Sequence, residues 1–200
     1  MRLLAAVLAA GAGRRFGGDK LHAPLAGRPV LAWTLRGVLE AADLWSLGVV
    51  VVTAPGEEAG AWDPPEAPVP VRRVQNPHAA EGMASSVRVA ARCAAEAGAE
   101  GLLLCLGDMP AVDGRVLRAL TAAWRPGTIV VACGPHGPTP PALFPAADFD
   151  ALQRLSGDRG ARAIWEAAGD RARRLAIPGE WWRDVDRPED LAALERLLAY

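Results

Sequence analysis

The sequence predicts an α/β fold, a three-layer Rossmann-like arrangement in which helices cover both faces of a mostly parallel sheet. Continuous apolar runs alternate with helix-like patterns along the 200 residues. Strands that are buried on both faces need no polar alternation, so uninterrupted apolar runs are typical of a parallel sheet. At this length we expect one domain with a full core, spanning residues 1–200.

Five apolar runs are predicted to be strands, and three stretches between them are predicted to be helices. The strand candidates are Leu3–Leu8, Leu47–Val52, Val69–Val74, Gly101–Leu106 and Ile129–Cys133. The helix candidates, which carry Leu, Val, Ala or Trp at three-to-four spacing, are Val30–Ala42, Ala84–Ala97 and Gly114–Trp124. Strand and helix therefore alternate throughout this part of the chain.

Two proline-rich stretches interrupt the alternation. Pro55–Pro70 holds five prolines and is expected to be an extended surface connection, and Gly134–Pro141 is expected to be a loop after the fifth strand. Ligands of open α/β sheets bind beyond the carboxyl ends of the strands, so we expect the second loop to be the functional one. The elements predicted after it are helices at Ala146–Leu155 and Gly160–Ala168, a short strand near Arg173–Ile177 and a closing helix from Pro188.

Composition and charge narrow the function classes. Hydrophobic residues make up 51% of the chain and charged residues 22%, as in a globular protein, and a net charge of −1 supplies no field that would hold a polyanion. Nucleic acid is therefore not an expected partner. The first apolar run lacks the cleavage site of a signal peptide, and no apolar run reaches the roughly 18 residues that a membrane span needs. A membrane partner is not expected either.

The three cysteines indicate a reducing compartment. Cys93, Cys105 and Cys133 show no C-x-x-C spacing, and two of them lie in predicted strands. We expect all three to be reduced core thiols, as in a cytoplasmic protein.

The glycine-rich run from Leu8 to Lys20 is the most informative segment. It follows directly on the first predicted strand, and its glycines allow backbone N–H groups to converge on an anion. Lys20, which closes the run, is the only lysine among 22 Lys and Arg residues. A lysine kept in a chain that otherwise uses arginine indicates a task for a compact, mobile point charge. These features predict a nucleotide-phosphate site.

Two common phosphate-binding motifs do not fit this loop. In the dinucleotide-binding pattern G-x-G-x-x-G, the third glycine position is occupied by Phe16, and Thr53 stands where an acid would bind ribose. In the P-loop pattern, glycine precedes the lysine and a hydroxyl residue follows it, whereas Lys20 stands between Asp19 and Leu21. A dehydrogenase and a P-loop ATPase are therefore not expected.

The loop instead fits the pattern L-A-A-G-x-G-x-R-x-G-x-x-K, and further motifs follow it in order. These are Asn76-Pro77, Glu81–Ser86, Leu106–Pro110, Pro141–Phe144, Ser156–Arg162 and Asp184–Leu191. On these residues the chain resembles the nucleotidyltransferases of the molybdenum cofactor, most closely the cytidylyltransferase branch. The resemblance covers nearly the whole length. It implies a nucleotidyltransferase fold and an Mg²⁺-dependent transfer of CMP from CTP to molybdopterin, with release of pyrophosphate.

The resemblance also implies roles for individual residues. A phosphate acceptor is already nucleophilic at neutral pH, so the catalyst must mainly position a triphosphate and neutralise its charge. Backbone amides of Ala12 and Gly13 together with Arg15 would hold the β- and γ-phosphates, with Arg14 as the alternative arginine, and Lys20 would reach the α-phosphate. Arg15, Lys20 and Asp108 are the catalytic candidates. The nucleotide-binding candidates are Leu8, Ala9, Ala10, Gly11, Ala12, Gly13, Arg15, Lys20, Ser86 and Asp108.

Two carboxylates are expected to hold the magnesium ion. Asp108 follows a predicted strand at its carboxyl end, and Mg²⁺ commonly takes one or two protein carboxylates together with substrate phosphates and water. The resemblance gives Asp186 as the second ligand, with Asp184 as the alternative. A turn cap for Asp108 and a helix N-cap for Asp186 are the competing structural roles.

The nucleotide is predicted from the residue that precedes the phosphate loop. The L-A-A-G form, with Ala10 before Gly11, resembles the cytidine-using branch, and L-A-G-G resembles the guanosine-using one. A methyl group at Ala10 would lie beside the base and remove space that a larger purine would use. We therefore predict a preference for CTP over GTP.

Other residues bear on the base and the acceptor. Ser85 and Ser86 stand at a predicted helix start, where they either cap the helix or contact base and ribose. Trp181 and Trp182 either wall an aromatic pterin or pack in a core or interface. The proline cluster Gly137–Pro140 departs from the family pattern, and this departure bears on the acceptor more than on the nucleotide.

The three histidines and Ala84 complete the sequence expectations. His22, His78 and His136 share no metal-ligand spacing and are expected to be solvated or hydrogen-bonded loop residues. Ala84 stands where the family often has glycine.

Two alternatives to this function stay open. In one, the same reaction uses GTP or a sugar-phosphate acceptor. In the other, a non-catalytic accessory protein binds molybdopterin or nucleotide and passes it to a molybdenum hydroxylase, which is also the client expected for the enzyme. The joint presence of Lys20, Asp108 and Asp186 argues against the accessory protein.

Overall fold

The computed structural model describes residues 1–11, 13, 15–56, 67–157 and 160–199. The strands in this part of the chain are β1 (Leu3–Ala9), β2 (Pro24–Leu25), β3 (Arg28–Pro29), β4 (Val49–Thr53), β5 (Val71–Gln75), β6 (Gly101–Leu106), β7 (Ile129–Gly134), β8 (Gly137–Pro145) and β9 (Ala172–Ala176). The helices are α1 (Val30–Leu39), α2 (Met83–Glu96), α3 (Gly114–Ala123), α4 (Phe149–Gln153), α5 (Arg162–Ala167) and α6 (Pro188–Leu198).

Within the described residues, a seven-stranded sheet has the order β5-β4-β1-β6-β8-β7-β9. Its strands are parallel except β8, which runs antiparallel to β6 and β7. Strands β2 and β3 form a separate short hairpin. The predicted α/β class and mostly parallel sheet are confirmed. The carboxyl ends of β1, β6, β7 and β9 therefore meet at one edge of the sheet.

Two apolar cores, one on each face of the sheet, explain why β1 is buried along its whole length. Alternate side chains of a strand point to opposite faces. Val7 packs in one core with Leu35 of α1, and Ala6 packs in the other with Ala90 of α2. Helices thus cover both faces, which gives the three layers expected from the uninterrupted apolar runs.

The stretch Gly134–Pro141 was predicted to be a loop, and that prediction was wrong. A two-residue turn follows β7, and most of the stretch belongs to β8. Leu143 of β8 lies opposite Leu103 of β6 and Val130 of β7, so the apolar half of β8 is paired on both sides. The proline-rich half pairs with β7 alone, beyond a register shift. Prolines cannot donate to a sheet ladder, and they are tolerated where one side of the strand has no partner.

The other predicted elements are present with shifted ends. The helix predicted over Val30–Ala42 ends at Leu39, and the helix predicted over Ala146–Leu155 begins with a short 3₁₀ turn before α4. Of the connection predicted over Pro55–Pro70, residues 57–66 lie outside the described residues. No helix among the described residues has the length and apolar character required to cross a membrane.

The cysteines are free thiols, but they are not all core residues. Cys105 is buried, as expected, whereas Cys93 and Cys133 are only partly buried. Burial raises the pKa of the Cys105 thiol well above its ordinary value.

Candidate active site

A cavity of about 470 Å³ opens at the edge of the sheet where β1 and β6 end. This volume lies within the range of small-molecule sites. Its wall is built by the loops after β1 and β6, the start of α2 with the 3₁₀ turn before it, and the segment before α6. The lining residues are Leu8, Ala10, Gly11, Gly13, Arg15, Phe16, Lys20, Leu21, Ala79, Ala80, Glu81, Gly82, Met83, Ser86, Leu106, Asp108 and Asp186.

Gly13 shapes the loop after β1. Its φ of +56° lies in the left-handed region, and its carbonyl oxygen accepts hydrogen bonds from the N–H groups of Phe16 (3.0 Å) and Gly17 (3.2 Å). A Cβ atom at Gly13 would clash with the backbone carbonyl oxygen of Gly18. Only glycine satisfies both conditions. The resulting turn places Arg15 at the wall of the cavity.

Four charged side chains meet in the cavity. Lys20 Nζ donates to Asp108 Oδ2 at 2.5 Å and lies 3.7 Å from Asp186 Oδ1. Arg15 Nη1 donates to Asp186 Oδ2 at 2.9 Å. Only 13% of the Lys20 side chain and 16% of the Asp108 side chain are exposed, so Lys20 is not the exposed loop residue that a glycine-rich surface loop suggests. Two cations and two carboxylates thus neutralise each other across chain segments that are far apart in sequence.

Gly107 holds Asp108 beside the phosphate loop. Its N–H donates to the carbonyl oxygen of Leu8 (2.9 Å), and its own carbonyl accepts from Thr34 Oγ1 (3.0 Å). A Cβ atom at Gly107 would lie 3.1 Å from the Leu8 oxygen and 3.2 Å from Leu31 Cδ1, so a larger residue would push the two loops apart. The end of β6 is therefore fixed against the end of β1.

The segment before α6 is fixed by its backbone. The N–H of Val185 donates to the carbonyl oxygen of Asp108 (2.9 Å), and Asp190 Oδ2 accepts from the N–H groups of Asp186 (2.9 Å) and Arg187 (2.7 Å). Arg187 is the N-cap residue of α6, and the capping carboxylate is that of Asp190. The side chain of Asp186 is thus not used as a helix cap and faces the cavity.

Asp184 is less well placed than Asp186. Loss of hydration and repulsion from Asp108 and Asp186 raise the pKa of its carboxyl group. It does not line the cavity, whereas Asp186 does. The geometry therefore favours Asp186 as the partner of Asp108.

The carboxylate pair fits a divalent cation. Asp108 Oδ1 is buried and has no hydrogen-bond partner among the described residues. A buried carboxylate oxygen without a partner is a suitable ligand for a hard cation. In the same part of the chain, no group of three or more His, Cys, Asp or Glu residues forms a complete metal site. Substrate phosphates and water would therefore complete the coordination, as is common for Mg²⁺.

Comparison with known proteins agrees with this geometry. A family model described as the MobA-like NTP transferase domain matches residues 5–174. The chain belongs to the MobA-like NTP transferase family. It is therefore a nucleotidyltransferase, and the match includes the phosphate loop, Lys20 and Asp108. Asp186 lies beyond the matched range.

Individual relatives of this MobA-like transferase cover nearly all of it or only a part. A molybdenum cofactor guanylyltransferase of Cereibacter sphaeroides is 32% identical over 200 residues, which is 99% of this chain and 98% of the relative. A 2-C-methyl-D-erythritol 4-phosphate cytidylyltransferase of Prochlorococcus marinus is 54% identical over 46 residues, which is 22% of this chain and 20% of the relative.

The solved structure of Rv0371c from Mycobacterium tuberculosis H37Rv has a TM-score of 0.78 to this chain at 26% identity, covering 98% of this chain and 99% of that one. A structure of the same protein in complex with manganese has a TM-score of 0.74 at 25% identity, with the same coverage. Nearly all of the MobA-like chain thus has a counterpart of similar fold.

Ser85 and Ser86 of the MobA-like transferase do not cap α2. The N-cap residue is Gly82, whose carbonyl oxygen accepts from Ser85 Oγ (2.8 Å). Buried Asn76 donates from Nδ2 to both Ser85 Oγ (2.7 Å) and Ser86 Oγ (3.0 Å). Ser86 lines the cavity, so its hydroxyl group is the one placed to contact a nucleotide.

The two adjacent tryptophans have different environments. Trp181 is 3% exposed, packs in the core, and donates from Nε1 to the carbonyl oxygen of Ile177 (2.9 Å). Trp182 is half-buried and meets the exposed ring of His136 edge-on. Of the two predicted pterin-wall residues, Trp181 is therefore largely buried in the core, and Trp182 is the more exposed.

The remaining histidines are hydrogen-bonded surface residues, as expected. His22 Nδ1 lies 2.5 Å from Asp19 Oδ2, and His78 Nδ1 lies 2.9 Å from Glu81 Oε1. Neither lines the cavity.

Most of the candidate residues lie together in the MobA-like site. Those that line the cavity are Leu8, Ala10, Gly11, Gly13, Arg15, Lys20, Ser86, Asp108 and Asp186. Ala9 is the exception, because it is fully buried in the core between the sheet and its helices. Ala12 and Arg14 lie outside the described residues.

Several wall residues were not predicted as ligand contacts. Phe16 and Leu106 add apolar surface, and Ala79, Ala80 and Met83 extend the wall on the side of α2. These residues carry no chemistry that would single them out. The available signals were the motif Asn76-Pro77, which stands just before the 3₁₀ turn, and the motif Glu81–Ser86, which contains Met83.

Proposed function

We propose that this nucleotidyltransferase transfers CMP from CTP to the phosphate of a molybdopterin-type acceptor and releases pyrophosphate, with Mg²⁺ as cofactor. The observation that carries this proposal is the set of two cations and two carboxylates at the cavity edge, with Lys20 bridging Asp108 and Asp186. When a metal and a triphosphate bind, the two carboxylates can pair with the metal and the two cations can pair with the phosphates.

The roles of the cations follow from their reach. Lys20 lies between the two carboxylates, so a phosphate bound beside them is within range of its ammonium group. We assign Lys20 to the α-phosphate, where negative charge must be stabilised during transfer. Arg15 is mostly exposed at the outer rim of the cavity, and we assign it, with the backbone amide of Gly13, to the β- and γ-phosphates.

Asp108 and Asp186 would hold the divalent cation, and the unpartnered Asp108 Oδ1 would supply one ligand oxygen. When bound, the ion neutralises phosphate charge and orients the triphosphate. The manganese complex of the structurally similar Mycobacterium tuberculosis protein supports a divalent cation at this site.

The chemical step needs no general base. A phosphate oxygen of the acceptor forms a bond to the α-phosphorus, and the bond from that phosphorus to the bridging oxygen of the β-phosphate breaks. Pyrophosphate leaves with the electron pair of that bond. A phosphate monoester is largely deprotonated at neutral pH, so the residues of the chain serve to align and stabilise rather than to remove a proton.

The choice of CTP is supported by Ala10, which lines the cavity directly before the glycine loop. The local identity of 54% to a cytidylyltransferase also supports it. GTP is the second candidate, because the relatives of full length that are 32% identical are named guanylyltransferases.

The free thiols are compatible with a reducing compartment. With the proposed reaction, they support a cytoplasmic enzyme whose product is passed to a molybdenum hydroxylase.

The experiment measures pyrophosphate release with CTP, GTP, ATP and UTP, each with molybdopterin and with a sugar phosphate. We expect release that depends on molybdopterin and is fastest with CTP. Faster release with GTP would show that GTP is the nucleotide substrate and would leave the reaction unchanged. Release only with the sugar phosphate would show that the acceptor is a sugar phosphate. Nucleotide binding without release under any condition would favour a non-catalytic accessory protein.

A further inference from the structure

An aromatic cluster lies at the same edge of the sheet, outside the nucleotide cavity. The ring of Trp182 meets that of His136 at an angle of 85°, with centroids 5.2 Å apart. The Arg183 guanidinium lies over the Trp182 ring, 5.0 Å from its centroid, and is held by Glu180 Oε1 at 2.7 Å. His136 is exposed and Trp182 is half-buried. Amphipathic rings that are packed on one side and open on another are suited to contact a planar ligand.

Gly134 fixes the position of Trp182. A Cβ atom at Gly134 would lie 3.0 Å from Trp182 Cβ and 3.1 Å from Cγ, which is tighter than ordinary packing allows. The indole therefore rests directly on the backbone at the end of β7. His136 stands in the two-residue turn that follows, so the hairpin between β7 and β8 holds both rings.

The cluster is tied to the carboxylates by one short segment. The N–H of Val185 bonds to the carbonyl oxygen of Asp108 (2.9 Å), so the chain from Trp182 to Asp186 runs from the end of β7 to the end of β6. One strand, β8, lies between those two. Neighbouring strands are about 4.8 Å apart, so the ends of β6 and β7 are about 10 Å apart along the sheet edge. A phosphate at the carboxylates and a ring at Trp182 would be joined by a short linker.

The nucleotide cavity does not extend to the part of the sheet edge beyond β6, where β7 ends. Its described lining comes from β1, β6 and the start of α2, with Asp186 as its limit toward the cluster. A second substrate must approach the α-phosphate from a side that the nucleotide does not fill. The half of the edge beyond β6 meets that condition.

We propose that Trp182 and His136 form the wall of the acceptor subsite and contact the planar heterocycle of an acceptor whose phosphate reaches Asp108 and Asp186. This rests on the nucleotidyl transfer proposed above. Arg183 acts as a positioning residue, because its guanidinium lies over the indole ring while Glu180 holds it in place.

The test compares Trp182→Leu, Trp182→Phe and Trp33→Leu. Trp33 is a matched control, since it is also half-buried and has the Arg36 guanidinium 5.3 Å from its ring centroid, but it lies on α1 and outside the nucleotide cavity. Two quantities are measured: the KM for acceptor and for CTP in the transfer assay, and the affinity for a stable oxidised pterin carrying a phosphomonoester, measured by calorimetry.

We expect Trp182→Leu to raise the acceptor KM and weaken pterin phosphate binding by about 10- to 100-fold, the scale of losing one aromatic stacking contact. In Trp182→Leu the KM for CTP should change by less than about twofold. Trp182→Phe should retain most of the acceptor affinity, and Trp33→Leu should have the same KM values as the unmodified protein. A merely structural role would alter both KM values together.

The outcomes separate the subsite from the reaction. Transfer to the pterin acceptor with an unchanged acceptor KM in Trp182→Leu would overturn the subsite and leave the reaction standing. Pterin phosphate binding that depends on Trp182, without any nucleotidyl transfer to a pterin, would support the subsite and overturn the reaction. Absence of pterin phosphate binding by an unmodified protein that still transfers CMP would overturn the subsite and leave the reaction standing.

Discussion

Lys20 Nζ lies 2.5 Å from Asp108 Oδ2, although 88 positions separate the two residues. Both side chains are largely shielded from solvent, so the pair is stronger than an exposed ion pair and more costly to break unless each charge finds a new partner. A triphosphate supplies a new partner for Lys20, and a divalent cation supplies one for Asp108. The nucleotide and its metal are therefore expected to bind as one unit.

Replacement of Lys20 tests the central cation. Lys20→Ala should lower turnover by about 10²- to 10³-fold, the scale of losing one preorganised electrostatic contact. Arg118→Ala is a matched control, because it removes an ion pair with Asp43 (2.6 Å) that lies outside the cavity; its turnover should be near normal. Thermal unfolding of both variants distinguishes lost catalysis from lost folding. Near-normal turnover of a folded Lys20→Ala protein would show that Lys20 takes no part in the chemical step.

Replacement of the carboxylates tests the metal. Asp108→Asn and Asp186→Asn should each raise the Mg²⁺ concentration needed for half-maximal rate and lower the maximal rate, because one anionic oxygen ligand is lost. Asp184→Asn should have the smallest effect on the Mg²⁺ requirement, since Asp184 does not line the cavity. The measurement is the rate as a function of Mg²⁺. A larger increase in the Mg²⁺ requirement in Asp184→Asn than in Asp186→Asn would make Asp184, and not Asp186, the second metal ligand.

Replacement of Gly13 tests the shape of the phosphate loop. Gly13→Ala places a Cβ atom against a carbonyl oxygen at positive φ, a strain of about 1–2 kcal/mol or more. It should lower the denaturation midpoint in urea and weaken nucleotide binding. Gly18→Ala is the control, because its added Cβ meets nothing within 4 Å. Equal stability and nucleotide affinity in the two variants would show that the turn at Gly13 is not required.

Replacement of Ala10 tests base selection. A single methyl group in a pocket discriminates by roughly 1–3 kcal/mol, so Ala10→Gly should reduce the preference for CTP over GTP without inverting it. The comparison is the ratio of kcat/KM for the two nucleotides in each protein. An unchanged ratio would place base selection elsewhere in the wall, for example near Ser86.

The buried thiol gives a pH prediction. Burial raises the pKa of Cys105 in the folded protein well above its ordinary value, so the folded protein keeps the thiol proton at a pH where the unfolded chain loses it. Its contribution to stability is therefore complete below about pH 9 and is lost as the pH rises further. The unfolding temperature should fall less between pH 8 and pH 10 in Cys105→Val than in the unmodified protein. An equal fall in both would contradict the assignment.

Much of the fold and site follows from local patterns. The strands of the parallel sheet were predictable because burial on both faces requires apolar runs. Lys20 was predictable because it is the only lysine and closes the glycine-rich run, and Asp108 because it follows a predicted strand. Strand β8 was missed because its prolines indicate a loop, and only the missing partner on one side makes them acceptable in a strand. The environments of Ala9 and Trp181 depend on which face of a strand or segment packs inward, which neighbouring sequence does not specify.

The most direct test of the proposed reaction is to measure the transfer of the labelled α-phosphate of CTP to the acceptor. CTP labelled at that phosphate is incubated with Mg²⁺ and molybdopterin, and the label in the acceptor product is counted together with pyrophosphate. We predict equal amounts of labelled product and pyrophosphate with the unmodified protein, and a rate lower by about 10²-fold or more with Lys20→Ala. CTP binding without label transfer, or equal transfer by Lys20→Ala, would contradict it.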